Sequence, residues 1–189
     1  MKINRWLHRI IQKSRIYIYN KLSNSLNYKG IHIQPTLFIG TGRIDIGENT
    51  IFGYYPSPLF FSTYCHIEAR HEDAGIIIGK NNHFNNNLSI IAEHGKIIIG
   101  DNCLFGANVS IINSDFHSIS ATKRHSREQK SKDVVIGNNV WLGTNVSICK
   151  GVHIGDNAIV ANGAVVFEDV KENTIVRGNP AVYYKTIHE

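Results

Sequence analysis

The sequence predicts an all-β solenoid, a parallel β-helix, on three observations. From Val134 to Val166 an aliphatic residue recurs at every sixth position: Ile136, Leu142, Ile148, Ile154, Val160 and Val166. A small residue follows the first five directly, at Gly137, Gly143, Cys149, Gly155 and Ala161. Four residues after each aliphatic comes a small or β-branched residue, at Val140, Val146, Val152, Ala158 and Ala164. Neither the helical period of about 3.6 nor the strand period of about 2 produces a strict six. Six residues make one short strand and one tight turn, and three such units close one triangular coil. The aliphatic residue then points into the prism. A β-sandwich of short strands is the competing architecture, but sandwiches do not hold a fixed six-residue phase over so many units.

The chain of 189 residues, 42% hydrophobic and 19% charged, fits one domain with a real core. Residues 1–30 form a basic amphipathic segment. Ile3, Trp6, Leu7, Ile10, Ile11, Tyr17, Ile18, Leu22 and Leu26 are spaced for one apolar face of a helix. The segment holds Lys2, Arg5, Arg9, Lys13, Arg15, Lys21 and Lys29 and no acid, which is +7. The net charge is +5, so residues 31–189 sum to −2. The basic balance belongs to one tail, and nucleic-acid binding is not implied. Such a helix either packs its apolar stripe on the protein or lies on an anionic membrane surface. The segment lacks the clean apolar stretch and cleavage site of a signal peptide. No apolar run approaches the roughly 20 residues of a membrane span. Cys65, Cys103 and Cys149 are widely spaced, as free thiols in a reducing cytoplasm are. The expected location is cytoplasmic, with peripheral contact at the inner face of the cell membrane as the second reading.

The prism is expected over residues 31–185, followed by a tail at 186–189. Its earlier turns start at Ile46-Gly47 with Thr50, Ile78-Gly79, Ile99-Gly100 with Cys103, and Phe105-Gly106 with Val109. Slips of phase at Gly53–Tyr64 and Glu93–Lys96 predict short bulging loops. The glycines, with Asn81, Asn138, Asn145 and Asn157, are assigned to corners where left-handed backbone angles are expected. Residues 113–133 break the repeat. From Ser118 to Asp133 this loop is basic, with Lys123, Arg124, Arg127, Lys130 and Lys132 against Glu128 and Asp133.

Three motifs carry chemistry. Asn113-Ser114-Asp115-Phe116-His117 ends the run Ile99, Phe105, Ile111 and opens the loop. Val140-Trp141-Leu142-Gly143-Thr144 restarts the repeat, with Trp141 lying 24 residues past His117. The chain closes through Arg177-Gly178-Asn179-Pro180-Ala181. With these motifs the sequence resembles the hexapeptide-repeat acyltransferases over about residues 31–185, and among them the sugar O-acetyltransferases of the maltose and galactoside type. The resemblance implies a left-handed β-helix, an exception to the usual right-handed crossover. It implies a homotrimer with active sites between neighbouring prisms, acetyl-CoA as cosubstrate, and a sugar hydroxyl, for instance of a bacterial surface polysaccharide, as acceptor. His117 becomes the general base, because a hydroxyl is a poor nucleophile until its proton is taken and imidazole titrates near operating pH. Trp141 and Gly143 flank the pantetheine arm, and the Thr144 N–H faces the thioester carbonyl as an oxyanion donor. Asn162, Phe167 and Lys185 take CoA-contacting positions. Phe167 stands where those enzymes commonly carry Thr or Ser, and Val182 where they carry Arg. Asn85 and Glu93 fall on the acceptor side, with His94 able to take the place of Glu93 because of the phase slip. Asp115 either orients His117 or caps a turn.

No metal is expected. A zinc carbonic anhydrase on this scaffold needs a second His about five residues after the first; Thr122 stands there and His125 is off-spacing. The sequence holds no P-loop, dinucleotide fingerprint or nucleophile elbow. An N-acyltransferase acting on an amino sugar and a non-catalytic trimeric scaffold are the alternatives to an O-acetyltransferase.

Overall fold

The computed structural model describes residues 2–24, 30–126 and 130–188, with side chains from Trp6 onward. Helix α1 (Lys2–Leu22) is followed by short strands that wind round a three-faced prism. Face one carries, side by side, Ile31–His32, Ile51–Phe52, His83–Phe84, Leu104–Phe105, Trp141–Leu142, Ile159–Val160 and Thr174–Arg177, closed by Val182–Thr186. Face two runs from Thr36–Gly40 through Cys65–Ala69, Ser89–Ala92, Ser110–Ile112 and Ser147–Ile148 to Val165–Val166. Face three holds Arg43–Ile46, Ala74–Ile78, Gly95–Ile99, Val134–Ile136 and His153–Ile154. Each strand pairs in parallel with its counterpart one coil away; only Val182–Thr186 runs antiparallel.

The six-residue phase sets three inward columns. Face one stacks Phe52, Phe84, Phe105, Leu142, Val160 and Val176; face two Phe38, Ile67, Ile90, Ile111, Ile148 and Val166; face three Ile46, Ile78, Ile99, Ile136 and Ile154, all buried. The fourth-slot residues Val140, Val146, Val152, Ala158 and Ala164 fill the corners between columns and are buried too. Small side chains fit there because two walls converge at a tight angle.

The corners work differently from expectation. The hexad glycines have no left-handed angle; they are needed for room. A Cβ on Gly100 would stand 2.6 Å from Asn138 Oδ1 and 2.7 Å from the Gly137 carbonyl oxygen of the next coil. Left-handed angles fall on asparagines: Asn81, Asn145 and Asn157 have φ of 58°, 59° and 60°. Asn138 does not join them. Its neighbour Asn139 takes the angle (φ 55°), while Asn138 Oδ1 accepts the Asp101 N–H at 2.9 Å. The amides also link coils, Asn87 to Asn108 (2.7 Å) and Asn108 to Asn145 (2.8 Å), and Asn139 to Asn157 (2.9 Å) and Asn157 to Asn173 (2.8 Å).

The first phase slip, Gly53–Tyr64, leaves the prism and folds against α1. The second does not bulge. Glu93 is buried in the corner between faces two and three, its N–H donating to Asn113 Oδ1 at 2.8 Å.

Helix α1 packs on the first coil, but with its polar row. Gln12 Nε2 donates to the Ile33 carbonyl at 3.2 Å, and Arg15 Nη2 to the Thr63 carbonyl at 2.6 Å. His8 packs on Phe61 and Tyr19 on Tyr64. The apolar stripe of Trp6, Leu7, Ile10, Ile11, Ile18 and Leu22 faces outward, the reverse of what packing by hydrophobic burial predicts. The main-chain carbonyls of the 53–64 loop explain the inversion, since they need donors and Gln12 and Arg15 supply them. Ile3 and Leu26, and Arg127 and Glu128 of the basic loop, lie outside the described side chains. Among the described residues no helix is long and apolar enough to cross a membrane.

His32 sits at the first coil, stacked on Phe52 at 5.3 Å and edge-on to Phe38 at 5.5 Å. Burial lowers its pKa from 6.5 to about 4. The unfolded chain therefore takes up a proton as pH falls through 6.5, and the fold not until about 4. Stability should decline across that window, by at most about 3 kcal/mol. Thermal melts at pH 7.5 and 4.5 should show the loss in the parent and a smaller one in His32→Phe. Equal losses in both would dismiss His32 as the cause.

Candidate active site

Residues 113–133 leave the prism where face two turns into face three. The root is tightly closed. Ser114 bridges Ser131, the Lys132 N–H donates to the Asn113 carbonyl at 2.9 Å, and buried Asn113 donates from Nδ2 to the His94 carbonyl at 2.6 Å. Phe116 has φ 58°, a left-handed angle costing about 1–2 kcal/mol in a residue with a Cβ. Its N–H donates to Ser114 Oγ at 3.0 Å. The next residue, His117, is exposed, and its Nδ1 lies 3.3 Å from the Arg124 carbonyl oxygen. A carbonyl can only accept, so Nδ1 is the donor in this contact, and in the neutral ring the lone pair falls on Nε2.

Asp115 does not orient this ring. It forms an ion pair with Lys150, whose Nζ also reaches the Lys130 carbonyl at 3.2 Å, so the pair ties the loop to the next coil. The Arg124 carbonyl does the orienting instead. Glu93 is not presented to an acceptor. Its side chain is 5% exposed, it accepts a short hydrogen bond from Ser114 Oγ, and Arg70 Nη1 lies 3.7 Å away. His94 is the half-buried neighbour at this corner. Its Nδ1 meets the Asp73 carboxylate at 2.9 Å, which holds that carboxyl below its usual pKa, and its ring stacks on His71 at 4.5 Å.

Trp141, Gly143 and Asn162 come together elsewhere, on face one and the corner between faces one and two. They line a groove of about 850 Å³ with Arg177, Pro180 and Val182. Trp141 is 52% exposed and also walls an adjoining pocket with Asn85, Tyr54, His83 and Leu104. A Cβ on Gly143 would meet Asn162 Oδ1 at 2.2 Å, so glycine here makes room for that amide. The amide oxygen accepts the Thr144 N–H at 2.9 Å. The donor expected to face an oxyanion is therefore already engaged and must exchange partners to serve. Phe167 is exposed on the same corner as His117, past the end of Val165–Val166. Lys185 lies on the closing strand with Nζ 5.7 Å from the Tyr184 ring; it does not line the groove. Arg177, stacked over Tyr184 at 3.9 Å, is the cation that does.

Sequence reasoning missed Arg177, Tyr54, His83 and Leu104. A signal existed for two of them. His83 and Leu104 each precede an inward Phe on face one and stand in register with Trp141. The chain thus brings Asn85, Trp141, Gly143 and Asn162 to one side. His117, Glu93 and Asp115 stand at the corner across face two.

Two family models match. Residues 133–168 fit "Bacterial transferase hexapeptide (six repeats)", and residues 96–119 fit "Hexapeptide repeat of succinyl-transferase". Galactoside O-acetyltransferase of Escherichia coli K12 is 33% identical over 144 residues, 76% of this chain and 64% of that one. The chain spans less than two thirds of the length of the curated relatives it matches first. A hexapeptide-repeat-containing acetyltransferase of Vibrio cholerae O1 biovar eltor, crystallised with acetyl coenzyme A, is 26% identical with a TM-score of 0.57, covering 94% of this chain and 78% of that one. A maltose O-acetyltransferase of Clostridium difficile 630 is 27% identical with a TM-score of 0.55, covering 100% and 86%. By its repeats and its three-faced parallel prism, a left-handed β-helix, the chain belongs to the hexapeptide-repeat family.

Proposed function

We propose that the protein is an acetyl-CoA-dependent O-acetyltransferase acting on a sugar hydroxyl, in the biosynthesis of a bacterial surface polysaccharide, as a homotrimer. One observation carries the reading: an exposed imidazole at the loop root has Nδ1 held by a main-chain carbonyl and Nε2 left as a base. The groove beside Trp141 fits the donor. It is long, walled by Trp141, Ile159, Pro180 and Val182, and has Arg177 for an anionic end. Bound there, acetyl-CoA supplies an activated acetyl group. His117 Nε2 takes the proton of the attacking hydroxyl and holds it for return to the leaving thiolate. No thiol of this chain serves as a covalent relay. Burial pushes Cys65 up to about 12 and Cys103 up to about 11, and also raises half-buried Cys149.

The separation of the two halves supports an assembly in which neighbouring prisms share the site. His117 and the Trp141 groove lie on opposite edges of face two, so one prism does not close the site, whereas two prisms side by side do. The test is complementation. His117→Ala and Trp141→Asp chains should each be nearly inactive. Co-refolded at equal amounts, they should regain about a quarter of the parental CoA release, because each site draws two halves independently from a random assembly. Mixtures as dead as their components would reject the shared site. Sugar and amino-sugar acceptors run side by side separate O- from N-transfer, and failure to bind CoA at all would leave a scaffold.

A further inference from the structure

The same corner holds a chain of charged and polar groups that the proposed chemistry does not use. Arg70 grips Glu68 with Nε at 2.8 Å and Nη2 at 3.3 Å, and Glu68 also meets His66 Nε2 at 3.1 Å. The Arg70 hydrogen bond holds the Glu68 carboxyl below its usual pKa, so the anchor stays charged. From this anchor the Arg70 guanidinium faces two ways. Its Nη1 lies 3.7 Å from Glu93 Oε1, and its plane sits over the Phe116 ring at 4.9 Å. Glu93 Oε2 accepts the Ser114 hydroxyl, and Ser114 Oγ in turn accepts the Phe116 N–H at 3.0 Å.

Both lines converge on Phe116, one through its ring and one through its amide. Phe116 is the left-handed residue directly before His117. A non-glycine residue keeps such an angle only where its surroundings over-determine it. Charge-assisted hydrogen bonds inside a desolvated corner are the stronger sort.

We propose that Arg70, Glu93 and Ser114 are positioning residues for His117: they lock Phe116 in its left-handed turn from both sides and thereby aim the imidazole. The proposal rests on His117 being the base. It replaces an acceptor-binding role for Glu93 with a structural relay whose effect appears in turnover. Glu93 donates nothing to the acceptor; its carboxylate orders the Ser114 hydroxyl so that the oxygen lone pair faces the Phe116 amide.

The test uses the full chain with Ser114→Ala, Ser114→Thr, Glu93→Gln and Arg70→Lys. Ser114→Ala and Glu93→Gln should lower kcat by about 10–100-fold, the scale of loss when a reacting group is misplaced by about an ångström. KM for acceptor and for CoA should stay within about twofold in both. Ser114→Thr, which keeps the hydroxyl, should recover most of the turnover. A raised acceptor KM with unchanged kcat in Glu93→Gln would overturn the proposal in favour of direct acceptor binding. A second readout is independent of activity: the ring 15N and 1H signals of His117. The parent should show a single Nδ1–H tautomer, and Ser114→Ala and Glu93→Gln a mixture. Unchanged His117 signals in both folded variants would also overturn it. Should Ser114→Ala not fold, near-isosteric Glu93→Gln carries both measurements. A parent chain that binds CoA yet transfers to nothing would refute the proposed activity, and the ring signals would still decide the brace.

Discussion

Replacing His117 with alanine should cut kcat by about 10²–10⁴-fold, the usual worth of a positioned general base. CoA affinity should hardly change, because the groove lined by Trp141, Gly143 and Asn162 lies across face two from this corner. Assembly should not change either, since the His117 ring is exposed and among the described residues is held by the Arg124 carbonyl at 3.3 Å. No neighbour is set to stand in. His94, the half-buried imidazole at this corner, is bound through Nδ1 to Asp73 and stacked on exposed His71. Single-turnover kinetics with CoA release, beside calorimetric CoA titration, give both numbers. Turnover within about threefold of the parent would remove His117 from the chemistry.

Phe84→Ala should cost about 3–5 kcal/mol of stability. Phe84 is 2% exposed and lies between two other rings of the face-one column, Phe52 at 5.1 Å and Phe105 at 4.8 Å. A prism interior is walled on three sides by hydrogen-bonded strands, so it relaxes little into a void. The melting temperature should fall by roughly 10 °C. Turnover just below the transition should fall as well, because His83 and Asn85 on either side of Phe84 line the pocket shared with Trp141. Ile119→Ala, at a side chain 88% exposed, serves as the control and should shift the melt by less than about 1 °C. A Phe84→Ala melt near the parent's would mean that the column repacks.

The inward columns were legible in the sequence because the hexad phase is local. Ile136, Leu142, Ile148, Ile154, Val160 and Val166 are all buried, and so are the earlier turn starts Ile46, Ile78, Ile99 and Phe105. The break in the repeat after Ile111 followed from the same phase. What stayed hidden depends on the offset between coils. Along the face-three-to-one corner the linked asparagines are 32, 21, 18 and 16 residues apart, and across the loop Asn108 reaches Asn145 at 37. No reading of a local motif says that Asn162 takes the Thr144 N–H, that Lys150 takes Asp115, or that Arg70 reaches Glu93. The inverted helix has a similar cause. The spacing in α1 shows that an apolar face exists, while the donors needed by the carbonyls of Ile33, Phe60 and Thr63 decide which face turns inward.

A stack of parallel coils has an unsatisfied rung at each end, and identical molecules could add there indefinitely to make a fibre. Each end is covered on one face. At one end Ser23 Oγ accepts the Phe38 N–H and the Asn24 N–H donates to the Phe38 carbonyl, each at 3.0 Å, so α1 sits where another coil would dock. At the other end the chain reverses and Val182–Thr186 runs back along Thr174–Arg177. An antiparallel rung offers the wrong polarity for a parallel newcomer, and its side chains are all exposed, with Lys185 among them. The same reversal that brings Arg177 against Tyr184 at the groove thereby covers one edge of an open-ended repeat and works against end-to-end addition there.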